Sequence, residues 1–199
     1  MTFKLAVLAS AAALAAAPAF ADIVPGEAAP DFTGVDSNGV SHTLSDYQGK
    51  TVILEWTNHG CPYVQRHYEG NMQALQTAMN TGDDVVWLSV VSSAPGMQGY
   101  VQGAEANDLT ASRGASPDAV ILDPEGEIGR LYGATATPQM VLIDADGLVQ
   151  YDGAIDDSPR GPADEALNYL RAAQTALDEG RTPDPAQTQA YGCSVKYAS

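Results

Sequence analysis

The apolar residues of this chain fall into short, dense runs that predict buried strands. Thr51–Trp56 (TVILEW) and Asp84–Ser92 (DVVWLSVVS) are almost continuously hydrophobic, which is typical of central strands covered on both faces. Shorter apolar runs predict further strands, and an Asn-Gly pair predicts a hairpin ahead of them. These elements are the strands Ala119–Leu122, Gln139–Asp144 and Leu148–Asp152 and the hairpin Asp31–Thr43, turned at Asn38-Gly39.

Other segments show helical periodicity. In Pro62–Asn80 the apolar residues recur at steps of three and four and trace one face, although Gly70 weakens that helix. Pro162–Glu179 predicts the last helix, with Asp164 and Glu165 in its first turn. The remaining helical segments are Gly103–Ser112 and a single turn at Glu127–Tyr132. Strands that alternate with helices predict an α/β fold, in which a central mixed β-sheet is flanked by helices.

The first 21 residues have the pattern of an export signal. Lys4 precedes the apolar stretch Leu5–Ala17, and small residues occupy the cleavage positions in Ala19-Phe20-Ala21. That stretch is too short to span a bilayer comfortably, and an uncleaved N-terminal anchor is the alternative. We therefore expect a signal peptide over residues 1–21, a domain over residues 22–199, a periplasmic or secreted location, and no membrane association after cleavage.

The composition is strongly acidic, with a formal net charge of −16 at pH 7. Bulk electrostatics of this sign oppose binding to nucleic acid or to anionic lipid, so neither is expected as a partner. We interpret the acidity as a solubilising surface, with an acidic recognition face as the alternative. A negative field also opposes thiolate formation, so a reactive cysteine in this chain depends on local N–H donors.

Two cysteines are the candidate reactive groups. Cys61 follows a strand and a short polar turn, and Pro62 then occupies the first position of the predicted helix, so Cys61 is the expected N-cap. Backbone N–H groups and the positive end of the helix dipole favour a thiolate there. Cys193 lies 132 positions later, in the tail 180–199. The spacing leaves open a structural bridge, a catalytic pair or two separately reduced thiols.

The tail that carries Cys193 has no obvious helix or strand of its own after Pro185. Gly192 permits a tight approach of backbone to sulfur, and in an oxidising compartment Cys193 is the expected partner of Cys61. Three residues around it are expected to dock the tail on the domain: Tyr191, Val195 and Tyr197.

Taken together, the motifs resemble the thioredoxin-like superfamily, in its redoxin or peroxiredoxin-like branch. The resemblance covers nearly the whole exported region: the opening GEAAPDFTGVDSNGVSHTLSDYQGKTVILEW, the Cys61-Pro62 turn, the TP-x4-ID segment that begins with Thr137-Pro138, and the Asp-Gly hairpin after it. The ending YGCSVKY is similar to one peroxiredoxin-like subfamily. The resemblance implies a thioredoxin-like fold with an N-terminal β-hairpin and a C-terminal tail.

The same resemblance implies an exported thiol oxidoreductase with an antioxidant role, acting by thiol–disulfide exchange or by peroxide reduction. Cys61 is the implied nucleophile and Cys193 the resolving thiol. Pro138 is the implied cis proline opposite Cys61, and Thr137 offers its backbone groups to an extended substrate strand. The implied partners are a protein or small-molecule disulfide, or a peroxide, together with a thiol electron donor. No cofactor and no metal are implied.

Asn58 is where the chain departs from the related catalytic motifs. Thioredoxins have a cysteine at this position, and peroxiredoxins have the threonine that holds the peroxide. His59 is either a proton shuttle for Cys61 or an exposed turn histidine. Glu55 is either a buried proton acceptor or a strand-edge residue. Arg66 and His67 lie farther along the predicted helix and are expected to be surface or packing residues.

The alternative function is a non-catalytic binding protein on the same scaffold. Its sharpest form is a copper carrier, because Cys61, His59 and Met72 are soft or borderline donors. A purely structural or partner-binding role is the other form.

Overall fold

A computed structural model describes residues 23–79, 82–163 and 165–198. The predicted signal peptide, its cleavage point before Asp22, and Asp164 in the predicted last helix lie outside the described residues. None of the helices in those three ranges combines the length and the apolar character needed to cross a bilayer.

The described strands form a large mixed sheet and a small separate one. In chain order they are β1 (Thr33–Asp36), β2 (Ser41–Thr43), β3 (Thr51–Trp56), β4 (Val85–Val91), β5 (Ala119–Leu122), β6 (Ala136–Thr137), β7 (Gln139–Ile143), β8 (Val149–Gly153) and β9 (Cys193–Ser194). Within the described residues, the large sheet has seven strands in the order β2-β1-β5-β4-β3-β7-β8, and β6 pairs with β9 in the small sheet. The pairs β3–β4 and β4–β5 are parallel, while the outer pairs are antiparallel.

Helices cover both faces of this sheet, as the apolar runs of β3 and β4 predict. The helices are α1 (Pro62–His67), α2 (Asn71–Met79), α3 (Gly103–Ser112), α4 (Glu127–Leu131) and α5 (Tyr169–Asp178). Successive side chains of a strand point to opposite faces. Ile53 therefore packs beneath α1, α2 and α5, whereas Leu54 and Trp56 pack on the side of α4. The prediction of an α/β, thioredoxin-like fold is confirmed.

The predicted helix over Pro62–Asn80 is wrong in one respect, because the structure divides it into α1 and α2. Gly70 separates them with a φ of 140°, a backbone conformation that side-chain-bearing residues rarely adopt. The apolar face continues across the break, since Val64, Met72 and Leu75 are all fully buried in one cluster. Hydrophobic periodicity therefore identified the buried face but not the interruption.

The last helix also begins later than predicted, at Tyr169 instead of Pro162. Asn168 caps it, with its side-chain oxygen accepting a hydrogen bond from the N–H of Arg171 at 2.9 Å. Further along, the expectation of a tail without a strand is wrong as well. Cys193 and Ser194 form β9, which pairs with β6, the short strand that precedes β7.

Candidate active site

Cys61 lies where the central strand β3 ends and α1 begins. Its backbone is extended (φ −82°, ψ 121°) and Pro62 occupies the first helical position, so the predicted N-cap is confirmed. Asn58 shapes the turn that delivers it: its carbonyl accepts from the N–H of Cys61 at 3.0 Å, and its side-chain oxygen accepts from the N–H of Gly60 at 2.9 Å. Cys61 is completely buried at this position.

The Thr137–Pro138 bond faces this cysteine and is cis, as the family resemblance implies. The carbonyl oxygen of Thr137 lies 3.3 Å from the Sγ atom of Cys61. In the disulfide this sulfur carries no proton, so the approach is a contact; in a reduced protein the thiol would be placed to donate to that oxygen. The backbone next to Pro138 therefore forms one wall of the Cys61 site.

Cys193 closes the site from the tail. It is joined to Cys61 by a disulfide, with the two Cα atoms 5.9 Å apart, in agreement with the expected pairing. Cys193 also pairs with Thr137, and Ser194 with Ala136, in an antiparallel ladder. Gly192 is required here, because a Cβ atom at this residue would overlap the carbonyl oxygen of Thr137.

Residues after Cys193 hold the tail against the other side of the site. The N–H of Val195 donates to the carbonyl of Thr135 at 3.1 Å, and the carbonyl of Lys196 accepts from the N–H of Ala94 at 2.8 Å. The hydroxyl of Tyr197 donates to the carbonyl of Ala134 at 2.7 Å. The docking expected of Val195 and Tyr197 is therefore present, although much of it comes from backbone groups.

A polar cluster on the other side of Cys193 was missed by sequence reasoning. The Tyr191 hydroxyl donates to the carboxylate of Asp156 and accepts from Arg66 at 3.0 Å, with the Nε2 atom of His67 at 3.1 Å. His67 is fully buried, so of the two expected roles a surface position is wrong for this residue. Asp156 is fully buried as well. Burial lowers the pKa of His67 to about 4; Asp156 opposes this shift and Arg66 adds to it.

Three of the four residues in this cluster lie close to a cysteine in the sequence, which is the one signal that could have identified them. Tyr191 lies two residues before Cys193, and Arg66 and His67 follow Cys61 on the same helix. Asp156, however, lies in the loop after β8 and has no motif around it. Only tertiary structure brings the three segments together.

Glu55 is buried in the middle of the sheet and not at a strand edge. Its strand β3 lies between β4 and β7. The carboxylate accepts from Trp87 Nε1 at 2.9 Å, Ser89 Oγ at 3.0 Å and the Tyr68 hydroxyl at 2.8 Å. Burial raises the pKa of Glu55, and these hydrogen bonds together with the charge of Arg113 oppose the rise. A role of Glu55 in proton transfer stays a prediction.

The alternative function, a copper carrier, depends on His59, Met72 and Cys61 as metal donors. His59 is half-buried in the turn, where its carbonyl accepts from Gln65 at 3.0 Å. Met72 is completely buried in the apolar cluster, and the Cys61 sulfur is bonded to Cys193. Across the three described ranges, no three His, Cys, Asp or Glu side chains cluster as metal ligands. The proton-shuttle role of His59 stays a prediction.

Comparison with known proteins agrees with this geometry. The Redoxin family model matches residues 24–170. Thiol-disulfide oxidoreductase ResA of Geobacillus thermodenitrificans (strain NG80-2) is 25% identical over 128 residues, covering 64% of this chain and 68% of the relative. A Mycobacterium tuberculosis (strain CDC 1551 / Oshkosh) protein with a provisional peroxiredoxin name is 27% identical over 137 residues. That match covers 64% of this chain and 82% of the relative.

The fold recurs in a solved structure of a hypothetical protein from Sinorhizobium meliloti 1021. The TM-score is 0.74 at 20% identity, and the match covers 90% of this chain and 97% of that one. The sheet order and the cysteine opposite a cis proline define a thioredoxin-like protein. Since the family match spans more than half of its length, the chain belongs to the Redoxin family.

Proposed function

We propose that this protein is an exported thiol oxidoreductase that exchanges its Cys61–Cys193 disulfide with the thiols and disulfides of other molecules. The observation that carries the proposal is the disulfide itself, which lies beside the cis Thr137–Pro138 bond and includes the N-cap cysteine of α1. Membership of the Redoxin family and similarity to a protein named a thiol-disulfide oxidoreductase support it.

In the oxidised protein, Cys193 is the sulfur open to attack. Cys61 is completely buried, whereas Cys193 is only partly buried on the tail. A donor thiolate attacks Cys193, forms a mixed disulfide with it and breaks the bond to Cys61, whose sulfur leaves with the electron pair as a thiolate. A second donor thiol then attacks the mixed disulfide and releases Cys193. The donor leaves as a disulfide, and two electrons have entered the protein.

Reduction of a substrate then passes the two electrons on, through a mixed disulfide on Cys61. The Cys61 thiolate attacks a substrate disulfide once the tail has moved aside, and one substrate sulfur leaves as a thiolate. Cys193 then attacks the mixed disulfide at Cys61, releases the second substrate thiol and restores the internal bond. The N-cap position favours Cys61 in both directions, because N–H groups at a helix start stabilise a thiolate.

Peroxide reduction is the second candidate, favoured by the similarity to a protein with a peroxiredoxin name. In that reaction the Cys61 thiolate attacks one peroxide oxygen and becomes a sulfenic acid, while the O–O bond breaks and the other oxygen leaves as water or an alcohol after taking up a proton. The Cys193 thiol then condenses with the sulfenic acid to give the disulfide and a second molecule of water. The Asn58 side chain, at the position of the peroxiredoxin threonine, is already used in the turn. Its amide nitrogen donates to the carbonyl of Gln98 at 3.2 Å and its oxygen accepts from Gly60. Disulfide exchange is therefore our first choice.

Both reactions are tested with the same purified protein. Dithiothreitol supplies electrons, and the consumption of a disulfide-linked peptide and of hydrogen peroxide is measured for the wild type, Cys61→Ser and Cys193→Ser. We expect disulfide turnover that Cys61→Ser abolishes and faster turnover of the peptide than of the peroxide. Faster peroxide turnover would select the second candidate, and turnover of neither substrate would leave only the binding-protein alternative.

Export is part of the proposal, based on the signal pattern before Asp22. Expression of the full chain in a bacterium followed by fractionation and intact-mass measurement tests it. We expect a periplasmic form that starts at Asp22. Retention of Met1 in the membrane fraction would show an uncleaved anchor instead.

A further inference from the structure

Besides the disulfide, a cluster of charged and polar side chains on α1 and the loop after β8 contacts the tail. Tyr191, two residues before Cys193, packs its ring against that of Tyr63, with the centroids 5.9 Å apart and the ring planes tilted by 59°. Its hydroxyl contacts three side chains, which we call the receptor: Arg66 and His67 of α1 and Asp156 of the loop after β8. The receptor therefore binds the tail to α1, the helix whose N-cap is Cys61.

Burial strengthens the hydrogen bonds and ion pairs within this receptor. The side chains of Asp156 and His67 are 0% exposed, and that of Arg66 is 20% exposed. Arg66 Nη2 and His67 Nε2 lie 3.6 and 3.8 Å from Asp156 Oδ2. The other carboxylate oxygen, Oδ1, accepts from the Tyr191 hydroxyl and from the N–H of Ser158 at 3.0 Å. A hydrogen bond from a hydroxyl to a buried carboxylate is stronger than one between neutral groups.

We propose that Asp156, Arg66 and His67 form a receptor for the Tyr191 hydroxyl, and that this receptor positions Cys193 for closure of the disulfide on Cys61. Tyr191 is a positioning residue, because its hydroxyl bonds this receptor and acts on the sulfur through the backbone of Gly192. This inference rests on the proposed function, since it assigns the receptor a part in the redox cycle.

The physical consequence is a higher effective concentration of Cys193 at Cys61 after reduction. In the oxidised protein the disulfide holds the tail whether or not the receptor is occupied. In the reduced protein only non-covalent contacts hold it, and the disulfide forms only from the docked tail. Docking therefore shifts the equilibrium toward the disulfide, as any preorganised intramolecular contact does.

Tyr191→Phe tests the proposal, because it removes the hydroxyl and retains the ring that packs against Tyr63. The protein is equilibrated with reduced and oxidised glutathione, so that two glutathione molecules are oxidised for each disulfide opened. The disulfide fraction is read by alkylation and mass spectrometry. We expect the equilibrium constant for disulfide formation to fall about tenfold, which is about 30 mV for a two-electron couple. The half-buried Tyr100, outside the tail, provides the matched control Tyr100→Phe, for which we expect no change.

A second measurement separates positioning from a general loss of stability. Alkylation of Cys61 in the reduced protein should accelerate in Tyr191→Phe, because an undocked tail no longer covers that sulfur. An unchanged glutathione equilibrium in Tyr191→Phe, with lower melting temperatures of both redox forms, would overturn the proposal. If the wild-type disulfide does not exchange with glutathione at all, the proposed function itself fails. The two failures are therefore distinguishable.

Discussion

Thr137 and Cys193 face one another across a two-residue antiparallel ladder, so the chain's own tail occupies the backbone edge beside the Cys61 sulfur. The sequence led us to expect this edge to be open to an extended substrate strand. In the oxidised protein a substrate strand would have to displace β9 first. Under the proposed function, reduction would remove the covalent link between β9 and Cys61 and leave only non-covalent contacts for a substrate strand to displace.

The first prediction concerns the acidity of Cys61. We expect a thiol pKa below the free value of about 8.5, because the residue caps α1 and Pro62 sets the first turn. The rate of alkylation of Cys61 against pH, measured in Cys193→Ser so that one thiol reacts, reports this pKa. A midpoint at or above the free value would remove the argument for an activated thiolate.

The second prediction concerns the role of Cys193. If it resolves intermediates, Cys193→Ser should lose turnover and accumulate Cys61 as an over-oxidised or small-thiol-capped form, seen by intact mass. If the bridge is only structural, the variant should instead lose about 2–4 kcal/mol of unfolding free energy with little change in turnover. The exposed neighbour Ser194 provides a control: Ser194→Ala should change neither quantity.

The third prediction concerns Gly192. Gly192→Ala should slow disulfide formation, because the new Cβ would overlap the carbonyl oxygen of Thr137 and push β9 away from its partner. Its φ of 128° adds backbone strain, so the control must share that feature. Gly70 has a φ of 140° and open space around its Cβ position. The rate of disulfide formation is measured by quenching reoxidation with an alkylating agent at successive times. We expect Gly192→Ala to form the disulfide more slowly than the wild type and Gly70→Ala to form it at the wild-type rate. Equal rates in the two variants would contradict the steric argument.

The fourth prediction concerns the buried carboxylate of Glu55. Burial raises its pKa in the folded protein above the unfolded value of 4.5. The unfolded chain therefore loses this proton first as the pH rises, and the group makes folding progressively less favourable from about pH 4.5 upward, until the folded pKa is reached. Glu55→Gln removes this dependence, so the wild type should lose stability relative to the variant as the pH rises.

Urea unfolding of the reduced proteins at a series of pH values measures this difference. The exposed Glu69 provides the control variant Glu69→Gln, which should keep the wild-type slope. A stability difference that does not vary with pH, or that changes in the opposite direction, would contradict the raised pKa. No variation would indicate that the hydrogen bonds from Trp87, Ser89 and Tyr68 balance the cost of burying the charge, and the opposite direction would indicate that they outweigh it.

The strand pattern and the chemistry near Cys61 were predictable because they depend on neighbours in sequence. Apolar runs identified β3 and β4, and the Cys61-Pro62 pair identified the start of α1. The break at Gly70 was less predictable, since a glycine in a periodic segment either continues a helix or ends it. Which outcome occurs depends on how the two halves pack on the sheet, and periodicity does not report this.

By itself, therefore, the sequence determined the fold class and the candidate N-cap cysteine, since apolar runs and the Cys61-Pro62 pair have local physical causes. The cis geometry at Pro138 followed only from the family resemblance. The tertiary structure decided what the tail does. Its strand exists only because Thr137 supplies backbone partners, and Tyr191 is fastened only because burial brings Asp156 to Arg66 and His67. These contacts join segments far apart along the chain, and buried polar groups are stabilised only when the tertiary structure pairs them with one another, which no local pattern records.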